Sequence, residues 1–238
     1  MAEMTLLEAI QARHSVRKYK DEPIPEDILT TLRDRIREIN EEAGLHIQLV
    51  TGEPKAFGGF KSTSGVLSYG AFSGVTNYFV MAGKKGDDLD EKIGYYGEQL
   101  VLLAQTLGLN TCWAGVSYSK IPGTYELEDG EKIGCYIALG YGQTQGSGHK
   151  VKDVRDISNA SDLTPKWFRK GVDAALLAPT AVNQQKFYLE YLGFRDYSKL
   201  PKVLAKPVFS MIGYSKMDLG IVKYHFELGA GKENFEWA

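Results

Sequence analysis

A repeated order of secondary structure constrains the fold of this chain more than any single motif. From Pro25 the residue patterns predict a helix, two strands and a helix, and from Pro165 the same order returns. Proline begins both first helices, and an Asp-Leu pair, at residues 88–89 and 218–219, begins both last helices. An internal duplication with a reduced second copy accounts for this order. A chance recurrence, which any protein of mixed helices and strands can show, is the alternative.

The hydrophobic periodicity assigns the individual elements and predicts an α+β fold. An N-terminal helix capped by Thr5 comes first, and a long helix from residue 89 ends at Gly108. Thr164 supplies a capping hydroxyl for the helix that runs to residue 178. Two stretches are predicted to be irregular, a loop at 52–74 and a loose tail at 229–238, with docking of the tail through Phe235 and Trp237 as the alternative. The other predicted elements are helices at 25–44 and 218–228 and strands at 45–50, 75–81, 109–114, 132–141, 187–192 and 207–213.

Charge and hydropathy exclude several classes of protein. The 238 residues are 43% hydrophobic, which allows a sizeable core, and the formal net charge is −2. This balance argues against general binding of nucleic acid or membrane surfaces, which requires a positive bias. The sequence shows no apolar run of transmembrane length and no basic, then apolar, leader segment. We therefore expect a cytoplasmic protein with no membrane and no nucleic-acid partner.

The cysteines and histidines do not form a metal site by their spacing. Cys112 and Cys135 are the two cysteines, and each lies in an apolar stretch typical of a buried, reduced thiol. The four histidines are scattered along the chain, at His14, His46, His149 and His225. We predict no metal ligand from these residues.

Residues 13–17, Arg-His-Ser-Val-Arg, concentrate groups that bind anions. If the N-terminal helix continues through them, the guanidiniums of Arg13 and Arg17 share one helical face, with Ser15 between them. A planar, permanently charged guanidinium suits phosphate oxygens, and a serine hydroxyl adds a neutral hydrogen bond. A solvated basic helix end is the alternative.

Residues 12–19, with the sequence Ala-Arg-His-Ser-Val-Arg-Lys-Tyr, resemble the opening signature of the nitroreductase family of FMN flavoproteins. The resemblance implies that this segment holds the phosphate and ribityl chain of FMN, through Arg13, His14, Ser15 and Arg17. It also implies a nitroreductase-like fold, with an antiparallel-rich central sheet wrapped by helices and a pseudo-twofold internal repeat.

Two further segments resemble the same family in the expected order. Residues 107–116 are similar to the passage leading to the flavin ring, where backbone amides approach the flavin and Gly115 permits close contact. Ala114 stands where many members carry an acidic residue, so a backbone role is compatible with this sequence and a side-chain role is not. Residues 138–152 are similar to a late strand, a Gly-Tyr turn and a basic segment, in which Lys150 and Lys152 would complete the phosphate site.

Residues 178–185, Ala-Pro-Thr-Ala-Val-Asn-Gln-Gln, closely resemble the family's Ala-Pro-Ser-x-x-Asn-x-Gln motif, but at an unusual place. In ordinary members, which are homodimers, the motif follows the second helix and reaches the flavin of the partner subunit. Here it lies in the predicted second copy, so the resemblance implies a pseudo-dimeric chain with a first half at 1–157 and a reduced second half at 158–238. Pro179, Thr180 and Asn183 are the implied flavin contacts.

The glycine-rich loop has neither Walker nor Rossmann spacing. Ordinary members contact the ribityl chain from this part of the fold, and Ser68 and Tyr69 are the candidates here. They complete the set of predicted cofactor-binding residues.

The resemblance implies an FMN-dependent oxidoreductase. NAD(P)H would donate hydride to flavin N5, and a small acceptor such as a nitroaromatic or a quinone would receive it, in a monomer or a homodimer. The cofactor carries the chemistry, so no catalytic residue is predicted. Two alternatives remain: a non-enzymatic FMN-binding or sensing module, and a specialised oxygen-using flavoenzyme of the same fold.

Overall fold

The computed structural model describes residues 4–58, 71–195 and 199–238, and its elements confirm the α+β class. The described helices are α1 (Leu6–Ala12), α2 (Glu26–Ala43), α3 (Lys55–Gly58), α4 (Leu89–Thr106), α5 (Val154–Ile157), α6 (Lys166–Ala175) and α7 (Ser215–Ala230). The described strands are β1 (Gln48–Val50), β2 (Asn77–Lys84), β3 (Asn110–Ala114), β4 (Glu131–Gly140), β5 (Phe187–Gly193), β6 (Lys202–Pro207) and β7 (Glu236–Trp237). They form two sheets.

The chain divides into two compact units that each draw on separated stretches of sequence. The first unit contains Ala12–Leu89 and Leu100–Gly148, and the second contains Thr5–Gln11, Asp90–Gln99 and His149–Ala238. Helix α1 and the N-terminal part of α4 therefore pack with the second unit.

The first unit is built on an antiparallel four-stranded sheet in the order β1-β2-β4-β3. Seven of the eight residues of β2 are buried, which means that both faces of this central strand are covered. Tyr78 of β2 and Tyr136 of β4 stack with their ring centroids 4.9 Å apart, and Tyr118 also stacks on Tyr136, at 3.9 Å. Cys112 and Cys135 are buried in β3 and β4, as predicted.

The second unit contains a smaller sheet in the order β5-β6-β7, on which α7 packs, and α6 packs against α7. Strands β5 and β6 are antiparallel, whereas β6 and β7 are parallel. Helix α7 also approaches the N-terminal part of α4 closely: a Cβ on Gly94 would lie 1.9 Å from the carbonyl oxygen of Met217, and one on Gly220 would lie 2.0 Å from that of Glu91. Glycine at these two positions allows the helix backbones to touch.

Several local predictions are confirmed. The Thr5 hydroxyl accepts a hydrogen bond from the Glu8 amide at 3.2 Å, and the Glu8 carboxylate accepts one from the Thr5 amide at 2.8 Å, which is a capping box. Gly108 follows the end of α4 with φ +81°. The order helix, strand, strand, helix recurs as α2-β1-β2-α4 and α6-β5-β6-α7, apart from the short α3 within the predicted loop. A common origin of the two runs stays a prediction.

Three local predictions are wrong. The predicted strand at 207–213 is instead an exposed apolar stretch after β6, with Met211 93% exposed, because β6 pairs earlier in the chain, at 202–207. Thr164 does not cap α6, since its hydroxyl donates to the carbonyl of Ser161 at 2.8 Å. The tail is docked, not loose, as the alternative reading expected: β7 pairs with β6, and Trp237 Nε1 donates to the Glu227 carboxylate at 2.7 Å.

None of the helices in the described ranges has both the length and the hydropathy that crossing a bilayer requires.

Candidate functional site

Segment 13–17 is an extended strand-like connection, not the continuation of a helix. Helix α1 ends at Ala12, Ser15 pairs in parallel with Thr111 of β3, and the Val16 amide donates to the carbonyl of Thr111 at 3.1 Å. The helical arrangement predicted for the two arginines is therefore wrong. Pairing with β3 and burial of Val16 determine the conformation instead. Alternation along an extended segment still brings Arg13, Ser15 and Arg17 to the same side.

The thiol of Cys112 in the first unit has a hydrogen bond with Ser15 and lies within electrostatic range of Arg13 and Arg17. Burial raises the pKa of its thiol, and Arg17, a hydrogen bond with Ser15, and Arg13 each oppose this rise. The thiol is thus neutral near pH 7, and the Arg13 side chain beside it is itself buried, with the residue only 3% exposed. Two guanidiniums and a hydroxyl on one side of segment 13–17 form a donor set that fits a phosphate monoester.

His14 lies on the other side of segment 13–17, against the loop after β4. A Cβ on Gly146, which has φ +74°, would lie 2.8 Å from the Cβ of His14, so this position requires glycine. Asn110 holds the same loop, accepting from the Gly142 amide at 2.9 Å and donating to Gln145 at 2.9 Å. The loop therefore buttresses segment 13–17, and His14 is separated from the arginine cluster.

Ala114 and Gly115 stand at the end of β3. Ala114 is 3% exposed and packs in the aromatic cluster around Tyr136, and the half-buried Gly115 follows the strand directly. The methyl group of Ala114 offers no acid or base, so any contact with a ligand here involves the backbone. Ser68 and Tyr69 lie outside the described residues.

Segment 178–185 is the most strained stretch of the second unit. Val182, Asn183 and Gln185 have φ values of 45°, 56° and 46°, in the left-handed region that β-branched residues such as valine rarely adopt. Four non-glycine residues of the described chain have positive φ, and three of them lie in this segment. Strain of this kind concentrates at functional sites, and persists where surrounding contacts hold it.

Four predicted site residues come together in this unit through hydrogen bonds. The Asn183 side chain donates to the carbonyl of Lys150 at 2.8 Å, and the Thr180 hydroxyl accepts from the Gln185 amide at 3.0 Å. The Lys152 ammonium donates to the carbonyl of Gln185 at 2.7 Å, and burial lowers its pKa. The basic segment and the motif thus form one local structure. The side chains of Thr180, Asn183 and Lys152 each make a hydrogen bond within it.

Asp218, a residue that sequence reasoning missed, holds this segment in place. Asp218, in the first turn of α7, accepts from the Ala181 amide at 2.9 Å and from Gln184 Nε2 at 2.6 Å. Burial raises the pKa of Asp218 to about 6, although the hydrogen bonds from Ala181 and Gln184 lower it. The recurring Asp-Leu pair marks Asp218 as the start of a helix, but nothing in the sequence connects Asp218 to residues 181–184.

Residues 4–58, 71–195 and 199–238 contain no group of three or more His, Cys, Asp or Glu side chains arranged to hold a metal ion.

A family model described as "Putative TM nitroreductase" matches residues 5–230. Similar folds occur in a crystal structure described as "a putative nitroreductase" from Thermotoga maritima, with a TM-score of 0.65 and 22% identity over 98% of this chain and 87% of that one. An FMN-dependent nitroreductase from Clostridium difficile has a TM-score of 0.48 and 18% identity, over 63% of this chain and 95% of that one. A nitroreductase with bound FMN from Bacteroides fragilis has a TM-score of 0.46 and 22% identity, over 67% and 97%.

A search of curated proteins finds no match. The Thermotoga likeness, at 22% identity, concerns the fold. The family model, in contrast, spans nearly all of the sequence, from residue 5 in front of α1 to the last residue of α7. The chain therefore belongs to the nitroreductase family that this model describes.

Proposed function

We propose that this protein is an FMN-dependent oxidoreductase that takes hydride from NAD(P)H and passes electrons to a small acceptor such as a nitroaromatic or a quinone. The observation that carries the proposal is the grouping of Arg13, Ser15 and Arg17 in the first unit, beside Thr111 and Cys112 of β3. Family membership supports the same chemistry, because the signature carrying the resemblance includes these three residues.

Segment 13–17 would bind the FMN phosphate. A phosphate monoester carries nearly two negative charges at neutral pH, and the guanidiniums of Arg13 and Arg17 can compensate them with paired hydrogen bonds. Arg13 is held in a buried position and Ser15 is paired with Thr111, so little rotational freedom remains to be lost on binding. His14, which faces the loop at Gly146, would support the segment rather than the phosphate.

The remaining candidates have separate proposed roles. Gly115 and Ala114 would contribute backbone amides at the flavin ring. Pro179, Thr180 and Asn183 would contact the flavin through segment 178–185. Of the two lysines, Lys150 has an exposed side chain able to reach an anion, whereas the Lys152 ammonium already holds the carbonyl of Gln185.

FMN, when bound, supplies the hydride-accepting centre, and the protein's part is to hold, orient and neutralise it. We assign no acid or base to the reaction. Arg13, Ser15 and Arg17 fix the phosphate end, and the backbone around Gly115 adjusts the ring end.

We expect Arg13→Ala to weaken FMN binding by about 10- to 100-fold, since it removes a charge-assisted contact worth about 1.5–3 kcal/mol. Riboflavin, which lacks the phosphate, should lose much less affinity. The measurement is the ratio of the two dissociation constants, by flavin fluorescence titration. Arg33→Ala, which removes an exposed cation from α2, is the matched control and should leave the ratio unchanged. An equal loss for both ligands would reject the phosphate assignment.

Visible absorption spectra of the purified protein, before and after anaerobic addition of NADH or NADPH, test the proposed function. Oxidised flavin bands that bleach, and return when a quinone or a nitroaromatic is added, support it. Bands that persist with either nucleotide favour a binding or sensing module. Return of the bands with oxygen alone, coupled to loss of a dedicated substrate, favours an oxygen-using enzyme. No flavin uptake at all would reject an FMN protein.

A further inference from the structure

We propose that Asp218 is a positioning residue for the flavin-contact segment: its carboxylate fixes the backbone of residues 181–184 in the shape that flavin binding requires. The inference rests on the proposed flavin contact of segment 178–185. It assigns a role to a residue that belongs to none of the four segments resembling the family's flavin-binding motifs.

The segment needs an external restraint because its backbone is strained. Val182, Asn183 and Gln185 occupy the left-handed region, which is costly for residues with a Cβ. A stretch with three such residues relaxes unless contacts from outside hold it. The carboxylate of Asp218 supplies such contacts on both sides of Val182, at Ala181 and at Gln184.

Both carboxylate oxygens are committed to this task. Oδ1 accepts from the Ala181 amide at 2.9 Å, and Oδ2 accepts from Gln184 Nε2 at 2.6 Å. Gln184 Nε2 also donates to the carbonyl of Gly213 at 3.0 Å, while its Oε1 accepts from the Ser210 hydroxyl. The Gln184 side chain is therefore oriented by Asp218 and by the stretch before α7 together.

Asp218 is itself rigidly placed. The residue is 2% exposed, and its amide donates to the carbonyl of Tyr214 at 2.8 Å. Two residues later, Gly220 lies in the close crossing of α7 and α4, where no side chain would fit. Because the start of α7 is fixed, the Asp218 carboxylate holds residues 181 and 184 at a defined position relative to that helix.

The energetics of Asp218 favour a functional role over a purely stabilising one. Burial raises its pKa from the ordinary 3.8 to about 6, and the two groups that lower it, the Ala181 amide and the Gln184 side chain, do not titrate. The folded state therefore binds more protons than the unfolded state between those pH values. It follows that this group reduces the free energy of unfolding as the pH rises from about 4 to about 6. The protein keeps an ionised carboxylate here at a cost in stability.

We expect Asp218→Asn to weaken FMN binding by about tenfold or more at a pH above 6, measured by fluorescence titration. Asparagine has the same shape, but its NH₂ group would face one of the two donors. With riboflavin, which lacks a titrating phosphate, wild-type affinity should fall as the pH drops through about 6, and the affinity of Asp218→Asn should not change over that range. In the flavin-free protein, hydrogen exchange in the peptide covering 178–186 should accelerate in this variant.

Two further variants keep the test decisive. Asp173→Asn alters an exposed carboxylate on α6 and should change neither flavin affinity nor exchange at 178–186. Gln184→Ala removes one of the two contacts of Asp218, together with those to Gly213 and Ser210, and leaves the sequence of α7 unchanged. It serves if Asp218→Asn does not fold. Combined with Asp218→Asn it should cost less than the sum of the single effects, because both act on the same segment.

These experiments distinguish failure of the proposed function from failure of the role proposed for Asp218. Wild-type protein that takes up no FMN rejects the proposed function. Unchanged exchange at 178–186 in Asp218→Asn rejects the restraint, whatever the flavin result. Accelerated exchange with wild-type affinity and wild-type pH dependence also overturns the inference, since Asp218 would then shape the segment without serving the cofactor.

Discussion

Gly94→Ala is expected to destabilise the second unit severely, although alanine normally favours a helix over glycine by about 0.5–1 kcal/mol. The added Cβ would lie 1.9 Å from the carbonyl oxygen of Met217 and 3.1 Å from the amide nitrogen of Ile221. Both neighbours are backbone atoms of α7, so no side chain can rotate away and the helices must move apart. Overpacking typically costs about 1–3 kcal/mol, and a clash of backbone with backbone belongs at the upper end or beyond.

Denaturant-induced unfolding, followed by circular dichroism, measures this effect. Gly148→Ala is a suitable control, because the nearest atom to its added Cβ would be His14 Cε1 at an ordinary 3.8 Å. Gly220→Ala should behave like Gly94→Ala, since it clashes with Glu91 from the opposite side of the same crossing. A Gly94→Ala protein as stable as the wild type would show that α4 and α7 do not approach as described.

Removing either member of the buried pair between Glu98 and His225 is expected to cost about 3–5 kcal/mol. Both side chains are fully buried, and His225 Nε2 lies 2.9 Å from Glu98 Oε1. His225 Nδ1 lies 3.1 Å from the carbonyl oxygen of Ala174, an acceptor, so Nδ1 carries a proton. Deleting one partner leaves the other's polar group buried without its main contact.

The loss in the free energy of unfolding should depend on whether one or both side chains of the pair are replaced. Glu98→Leu and His225→Phe, each alone, should lower the free energy of unfolding strongly. The double variant should recover much of the loss, because replacing a buried pair by apolar groups is often neutral. A double-mutant cycle from denaturant unfolding gives the coupling. Strictly additive losses would mean that the two side chains do not interact.

The sequence predicts those parts of the fold that depend on local chemistry. The capping box at Thr5, the end of α4 before Gly108 and the element order of both units follow from signals within a few residues. The prediction of a strand at 207–213 was wrong because an apolar pattern does not reveal whether a partner strand is available. In the structure β6 ends at Pro207, and the apolar residues beyond it are exposed.

The candidate site shows the same division. The residue types at 13, 15 and 17 were recognisable, but their extended conformation depends on pairing with Thr111, almost a hundred positions along the chain. The role of Asp218 could not be predicted from the sequence for a similar reason: its contacts with residues 181 and 184 arise from tertiary packing. Local patterns identify the donors, and long-range pairing decides how they are arranged.

The placement of the three tryptophans makes intrinsic fluorescence a selective reporter of the second unit. Trp167 stacks on Phe235 at 5.7 Å, and Trp237 packs edge-on against the same ring at 4.9 Å. Both indoles therefore report on the docked C-terminal segment. Trp113, the third tryptophan, lies in β3 of the first unit. In a Trp113→Phe background, an emission change would follow unfolding of the second unit, and circular dichroism would follow the whole chain. A difference between the two transitions would show that the units lose their structure in separate steps.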